Sequence, residues 1–194
     1  MNKTYTLLFI FLLFTVASVN GQTNLETMTD EQLYRDVLSS TDFMKAESAG
    51  NEFFRRGEKV LPFLLSKKGD NNLFFGGFLK KGSSASSEMI TIPSNNMKNN
   101  ERLLKSGDIR SMEVIALFLI NAIFHESLNF SQTPNLRYET SEGYPKVANK
   151  PQLIKKAWKA VDKWAIQLKA EGLPELQRKE IAPLDLERDG VDFY

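Results

Sequence analysis

Histidine occurs once in the chain, at His125, and cysteine not at all. Thiol nucleophiles, disulfides, iron–sulfur clusters and the usual zinc sites need Cys or several His, so composition removes them. Glu126 follows His125 as in a zincin helix, but Ser127, Leu128 and Asn129 come next, and no second histidine stands one turn away. Asn121 lies four residues before His125. On a helix the two share a flank, either as a polar line toward a cleft or as a satisfied hydrogen-bonded pair in the core. A Ser–His–Asp arrangement would use His125 as base, yet no Gly-x-Ser-x-Gly elbow presents a nucleophile. Paired carboxylates stay open as acid/base chemistry, with 24 Asp and Glu and no local pattern that selects a pair. Catalytic residues are therefore unassigned, and no cofactor or metal is expected.

Three further groupings bear on binding. The stretch 185–192 places Asp185, Glu187 and Asp189 on alternate residues before Gly190, which resembles the start of an EF-hand calcium loop. Glu187 departs from the usual third ligand, and the sequence reaches Tyr194 without the bidentate Glu at the twelfth position, so a solvated acidic tail over 172–194 is expected. Lys155, Lys156, Lys159 and Lys163 gather on one helical face, opposite Ile154, Ala157, Trp158, Val161, Trp164, Ala165 and Leu168. That face suits an anionic partner, but it is also what any surface helix shows, and the acidic tail could lie across it. Trp158 and Trp164 fall on the apolar side and are expected in the core. Finally, Phe74, Phe75, Phe78 and Leu79 surround Gly76 and Gly77 within a Ser/Asn/Gly-rich stretch. Four large apolar groups there either fold back onto the core or form a contact surface for a partner, and they are the candidate partner-binding residues.

The elements that must position these groups begin with an export signal. Lys3 precedes the apolar run 7–14, extended by Val16 and Ala17, and small residues follow at Ser18 and Gly21. Charge, a short apolar core and a small-residue exit are what the translocation machinery reads, and the run is shorter than the roughly 20 apolar residues of a spanning helix. Cleavage is expected after Gly21, with Ser18 as the alternative. No cysteine follows to carry a lipid, so the expected destination is secreted or periplasmic, without a lipoprotein anchor. Residues 22–194 then form one domain. Lys and Arg number 25 against 24 acids, which leaves no global signal for nucleic acid.

Thr29 with Gln32 three residues on makes a capping box that opens a helix to about 39, with Leu33, Val37 and Leu38 as its stripe. A second helix begins near Thr41, carries Phe43, Ala46, Gly50 and Phe53 on one face, and stops at Gly57. A third is predicted over 58–68, with Pro62 in its first turn. The run 57–65 (Gly-Glu-Lys-Val-Leu-Pro-Phe-Leu-Leu), with an amphipathic helix before it and Gly69-Asp70 after it, resembles the inter-helix turn and second helix of a HEAT-type repeat over residues 42–70. The resemblance implies a scaffold and leaves function open. After an irregular loop at 69–107, Ser111 is placed to cap a helix over 112–126 that is apolar on all sides and hence buried at the centre of the fold. Irregular chain at 127–148, a helix over 151–171 with Asn149 as cap, and a short helix at 174–179 complete the expectation. The fold class is all-α: an irregular helical bundle with a HEAT-like helix hairpin and long irregular loops. The function expected is that of an exported, non-catalytic binding or scaffold protein acting on another protein. The alternative is a small cell-envelope hydrolase using carboxylates and His125.

Overall fold

The computed structural model describes residues 24–40, 42–74, 110–129, 131, 134–140 and 146–193. The expected signal at 1–21, and Phe75, Phe78 and Leu79, lie outside the described residues. So does most of the expected loop. No helix among the described residues is long and apolar enough to cross a membrane. The molecule is predominantly helical with a small three-stranded sheet.

After a single 3-10 turn at Leu25–Thr27, the capping box forms as expected: Gln32 N–H donates to Thr29 Oγ1 at 3.2 Å, and Thr29 N–H donates to Gln32 Oε1 at 3.0 Å. Helix α1 (Asp30–Gln32) runs straight into a π-helical stretch, Leu33–Leu38. Tyr34 is buried beside Leu33, Val37 and Leu38, and at 100° per residue it falls between Val37 and Leu38 on the same face. Helix α2 (Phe43–Arg56) is capped by Asp42, whose carboxylate accepts from Met44 and Lys45 N–H. The helix predicted over 58–68 is shorter: a 3-10 turn, Gly57–Val60, leads into α3 (Leu61–Leu65). Phe53, Phe63 and Tyr34 close the seam between these elements, with ring centroids 5.6 to 6.3 Å apart.

Helix α4 (Met112–Phe124) is buried along its whole length, as its uniformly apolar face requires. It packs against α2, α3 and α5 (Pro151–Glu171). Trp158 and Trp164 are both buried on α5, and Trp164 Nε1–H donates to Ile181 O at 2.9 Å. A short α6 (Leu173–Arg178) follows.

Two expectations are corrected at the ends of these helices. Ser111 occupies the cap position of α4 but its hydroxyl makes no capping bond. Instead Met112 N–H donates to Asn72 O at 2.7 Å and Glu113 N–H to Asp70 O at 3.0 Å, so carbonyls from a distant strand-like segment cap the helix. Asn149 does not cap α5, whose cap residue is Lys150. Its buried amide is used between loops, accepting from Leu136 N–H at 3.0 Å and donating to Asn135 Oδ1 at 2.8 Å.

The sheet is the larger departure from an all-helical chain. Strands β1 (Leu136–Tyr138), β2 (Lys146–Val147) and β3 (Asp192–Phe193) pair antiparallel in the order β2-β1-β3. Leu136 faces Phe193 across the ladder, and Arg137 faces Asp192 and binds its carboxylate with two hydrogen bonds. The stretch expected to be a solvated acidic tail is therefore docked: a turn of helix, α7 (Leu186–Asp189), feeds β3, and Val191 and Phe193 are buried, with the Phe193 ring edge-on to Phe118 at 5.5 Å. Burial of those two apolar side chains outweighs the charge of their neighbours.

Candidate functional site

The segment 67–74 crosses the N-terminal end of α4 and is tied to it at three points. Two are the capping bonds above; the third runs from Phe74 N–H to Arg110 O at 3.0 Å, next to a Leu73–Ser111 bridge. Extended backbone sends alternate residues to opposite sides. Gly69 and Asn71 accordingly line a cleft of about 260 Å³ against α5, while Asp70 and Asn72 line another of about 440 Å³ against the π-helical stretch.

The first cleft has an apolar wall of Pro151, Ile154 and Trp158, with Lys68 and Lys155 also lining it. Glu113 lies in it, buried, and its Oε2 accepts from Gly69 N–H at 2.9 Å. Gly69 reaches that carboxylate from φ +83°, a backbone region that L side chains rarely adopt. Loss of hydration raises the Glu113 pKa above its ordinary 4.5, and the charge of Asp70 adds to the rise. The Gly69 N–H and the nearby Trp158 indole pull the other way. The indole N–H faces the Glu113 carboxylate without reaching full hydrogen-bond geometry, and the Ser111 hydroxyl completes no hydrogen bond among the described residues; both atoms are buried. Such groups cost roughly 1–3 kcal/mol each when left unsatisfied, so two in one cleft is a marked feature.

The second cleft is more polar. Lys67 sits 4.1 Å from the centre of the Phe63 ring and 4.9 Å from that of Tyr34, and its ammonium binds Glu31 at 2.7 Å. Tyr34 Oη is buried and closes no hydrogen bond, although burial first and the nearby Asp70 second raise its pKa. Glu31 and Asp70 are the carboxylates here.

No protein family, no characterised protein and no solved structure matches this chain.

The residues singled out from sequence are scattered. Phe74 is buried in the core and so is not an exposed contact residue. His125 closes α4 at the end opposite Glu113, about 18 Å away at 1.5 Å per residue, and lines neither cleft. It is exposed, edge-on to Phe124 at 5.0 Å, and partial desolvation lowers its pKa. Asn121 does not form a polar line with it: the Asn121 amide donates back to Leu117 O at 2.8 Å, inside its own helix.

In the C-terminal stretch Asp185 caps α7 by accepting from Arg188 N–H at 2.7 Å, Asp189 accepts from Asp185 N–H, and Asp192 holds Arg137. These carboxylates do not converge, and no metal-holding group of three His, Cys, Asp or Glu exists among the described residues. The lysine face of α5 is exposed as expected, and the C-terminal stretch reaches it at one point, where Lys156 Nζ donates to Gly190 O at 3.5 Å.

Glu113, Ser111, Tyr34 and Asp70 were not legible as site residues. An acid and a serine at a helix start are ordinary dipole and cap choices, and the one available signal was a single carboxylate opening an otherwise apolar helix.

Proposed function

We propose that the chain is an exported, non-catalytic binding protein that acts through contacts with another protein, built on a HEAT-like hairpin of α2 and α3. The observation that carries this reading is the junction at Phe74 and Arg110. Phe74 and Arg110, the described residues on either side of 75–109, are joined by a backbone hydrogen bond, next to two clefts in which buried polar atoms of Tyr34, Ser111 and Trp158 complete no hydrogen bond among the described residues. Phe75, Phe78 and Leu79 follow the buried Phe74 in the sequence and are the contact residues of this reading. Export is supported by the order of charge, apolar run and small residues over 1–21.

The alternative, a small cell-envelope hydrolase, draws on the raised pKa of Glu113 in its cleft. Among the described residues the nearest cleft carboxylates to pair with it are Glu31 and Asp70, which line the other cleft, and His125 stands at the far end of α4.

The test is affinity capture of the exported chain from its native envelope, beside a Phe75→Ser/Phe78→Ser variant shown by circular dichroism to be equally folded. Phe74 is left intact because it belongs to the core. Loss of a specific partner from the variant supports the reading; recovery of identical partners by both removes these residues from the contact.

A further inference from the structure

We propose that the exposed face of α5 docks on an anionic lipid bilayer surface, with Lys155, Lys159 and Lys163 over the headgroups and Ile166 entering between them. The inference stands on that face and does not depend on the protein-partner reading.

Charge is unevenly placed along the chain. The stretch 150–171 holds six lysines against two acids, whereas the rest of the sequence has 19 basic residues against 22 acidic ones. The near-neutral total therefore conceals one basic helix. Lys155, Lys159 and Lys163 are all exposed, and none has an ion-pair partner among the described residues. At 100° per residue Ile166 falls between Lys155 and Lys159, so the four share a sector of about 80° that runs for about 17 Å along the helix. Ile166 is 71% exposed, and with Met44 it is one of the two large apolar side chains left in water among the described residues. The opposite side of α5 is committed to the core through Ile154, Trp158, Val161 and Trp164, so the lysines stand on a fixed platform.

Two acids could oppose an anionic surface here, and both are engaged. Asp162 lies in the same sector and binds Lys68 at 2.6 Å, while Glu171, at the helix end, binds Lys179. Lys156, on the flank, is turned to Gly190 O beside α7 and is left out of the face.

A protein partner fits this face poorly. Lysine is depleted at protein interfaces, and the sector offers neither the aromatic nor the arginine anchors on which such contacts turn. Lysine is a flexible point charge without the planar fork that selects one carboxylate or phosphate, so a row of them answers a dense sheet of charge. Anionic headgroups supply that sheet, and the layer beneath them accepts an aliphatic side chain.

The test uses the chain without residues 1–21, whose apolar run would itself enter lipid. It is sedimented with vesicles of phosphatidylcholine and with vesicles of an equimolar phosphatidylcholine–phosphatidylglycerol mixture. Binding is expected to the mixture alone, and to be lost at about 1 M salt, where the screening length is about 3 Å. Each Lys→Gln change should weaken it about fivefold, and Lys155→Gln/Lys159→Gln/Lys163→Gln together about a hundredfold, with unchanged circular dichroism because all three side chains are exposed. Since the chain has no cysteine, Ile166→Cys and Met44→Cys each take a single environment-sensitive fluorophore. The label at 166 should brighten and shift to shorter wavelength on the mixed vesicles, and the label at 44, on α2, should not. Binding of polyglutamate without binding of vesicles would assign the face to an acidic protein and overturn the proposal. Equal binding to phosphatidylcholine alone, full affinity in the triple variant, or equal response of the two labels would overturn it too.

Discussion

Replacing Arg56 by Met tests how the N-terminal segment is held. Arg56 ends α2, and its guanidinium reaches four groups: Glu52 Oε1 at 2.9 Å, Leu25 O at 2.9 Å, Met28 O at 2.8 Å, and the carboxylate of Asp30. The side chain is 16% exposed, so these are partly buried, charge-assisted bonds and not a solvated surface pair. Methionine keeps most of the stem and removes all four. Glu52 is not orphaned, because Arg55 still binds it at 2.8 and 2.9 Å. Asp30 and the two carbonyls can regain water if the 25–32 segment lifts. The loss should therefore be about 2–3 kcal/mol, below the 3–5 kcal/mol of a pair whose partner is left stranded. In a chain of this size that lowers the melting temperature by about 4–10 °C. Arg56→Lys should recover less than half, since an ammonium cannot span the fork. Arg55 first, with Arg56 assisting against the cost of burial, holds the Glu52 carboxyl below its ordinary 4.5, so the stability it brings is present above pH 4.5 and fades as pH falls through the lowered pKa. The gap between wild type and Arg56→Met, measured by urea unfolding, should narrow over the same range. A loss below about 0.5 kcal/mol at neutral pH, or full rescue by Lys, would refute the clamp.

Three further outcomes follow from the geometry. Glu113 has a raised pKa, so the folded state holds its proton more tightly than the unfolded one and the wild type loses stability as pH rises above 4.5; Glu113→Gln should match it near pH 4 and gain on it toward pH 7 in urea unfolding. Phe193→Ala should cost about 3 kcal/mol in the same assay, because the ring is 5% exposed against Phe118, whereas a solvated tail would show no loss. Gly69→Ala should cost about 1–2 kcal/mol although space for the methyl exists, since the strain lies in φ +83°; a neutral result in thermal unfolding would show that the turn relaxes freely.

Long, strongly patterned stretches were legible. Helix α4 declares its burial by having no polar face, and α5 declares its inner side through Ile154, Trp158, Val161 and Trp164. The Thr29–Gln32 box marks a helix start through two reciprocal bonds that local sequence alone can make. The sheet was not legible, because strands of two and three residues are too short for alternation to register. The acids around Val191 and Phe193 masked two apolar side chains whose burial depends on Leu136 and Phe118, far away in the chain. Tyr34 was legible but passed over: a 3.6-residue period sets it between Val37 and Leu38, and its hydroxyl kept it out of a stripe read from aliphatic residues alone. The clefts are tertiary objects, made when 67–74 crosses α4, and no local pattern in Ser111 or Glu113 announces that crossing.

The bond from Phe74 to Arg110 and the adjoining Leu73–Ser111 bridge fasten both ends of the stretch 75–109 to the same spot. With the ends already fixed, closing a longer or shorter stretch changes chain entropy only logarithmically, by about 0.6 kcal/mol per doubling of length. By that term alone, changing the number of residues between the two clasps costs the described body little, and the clasps offer a fixed mounting at which insertions can be tried.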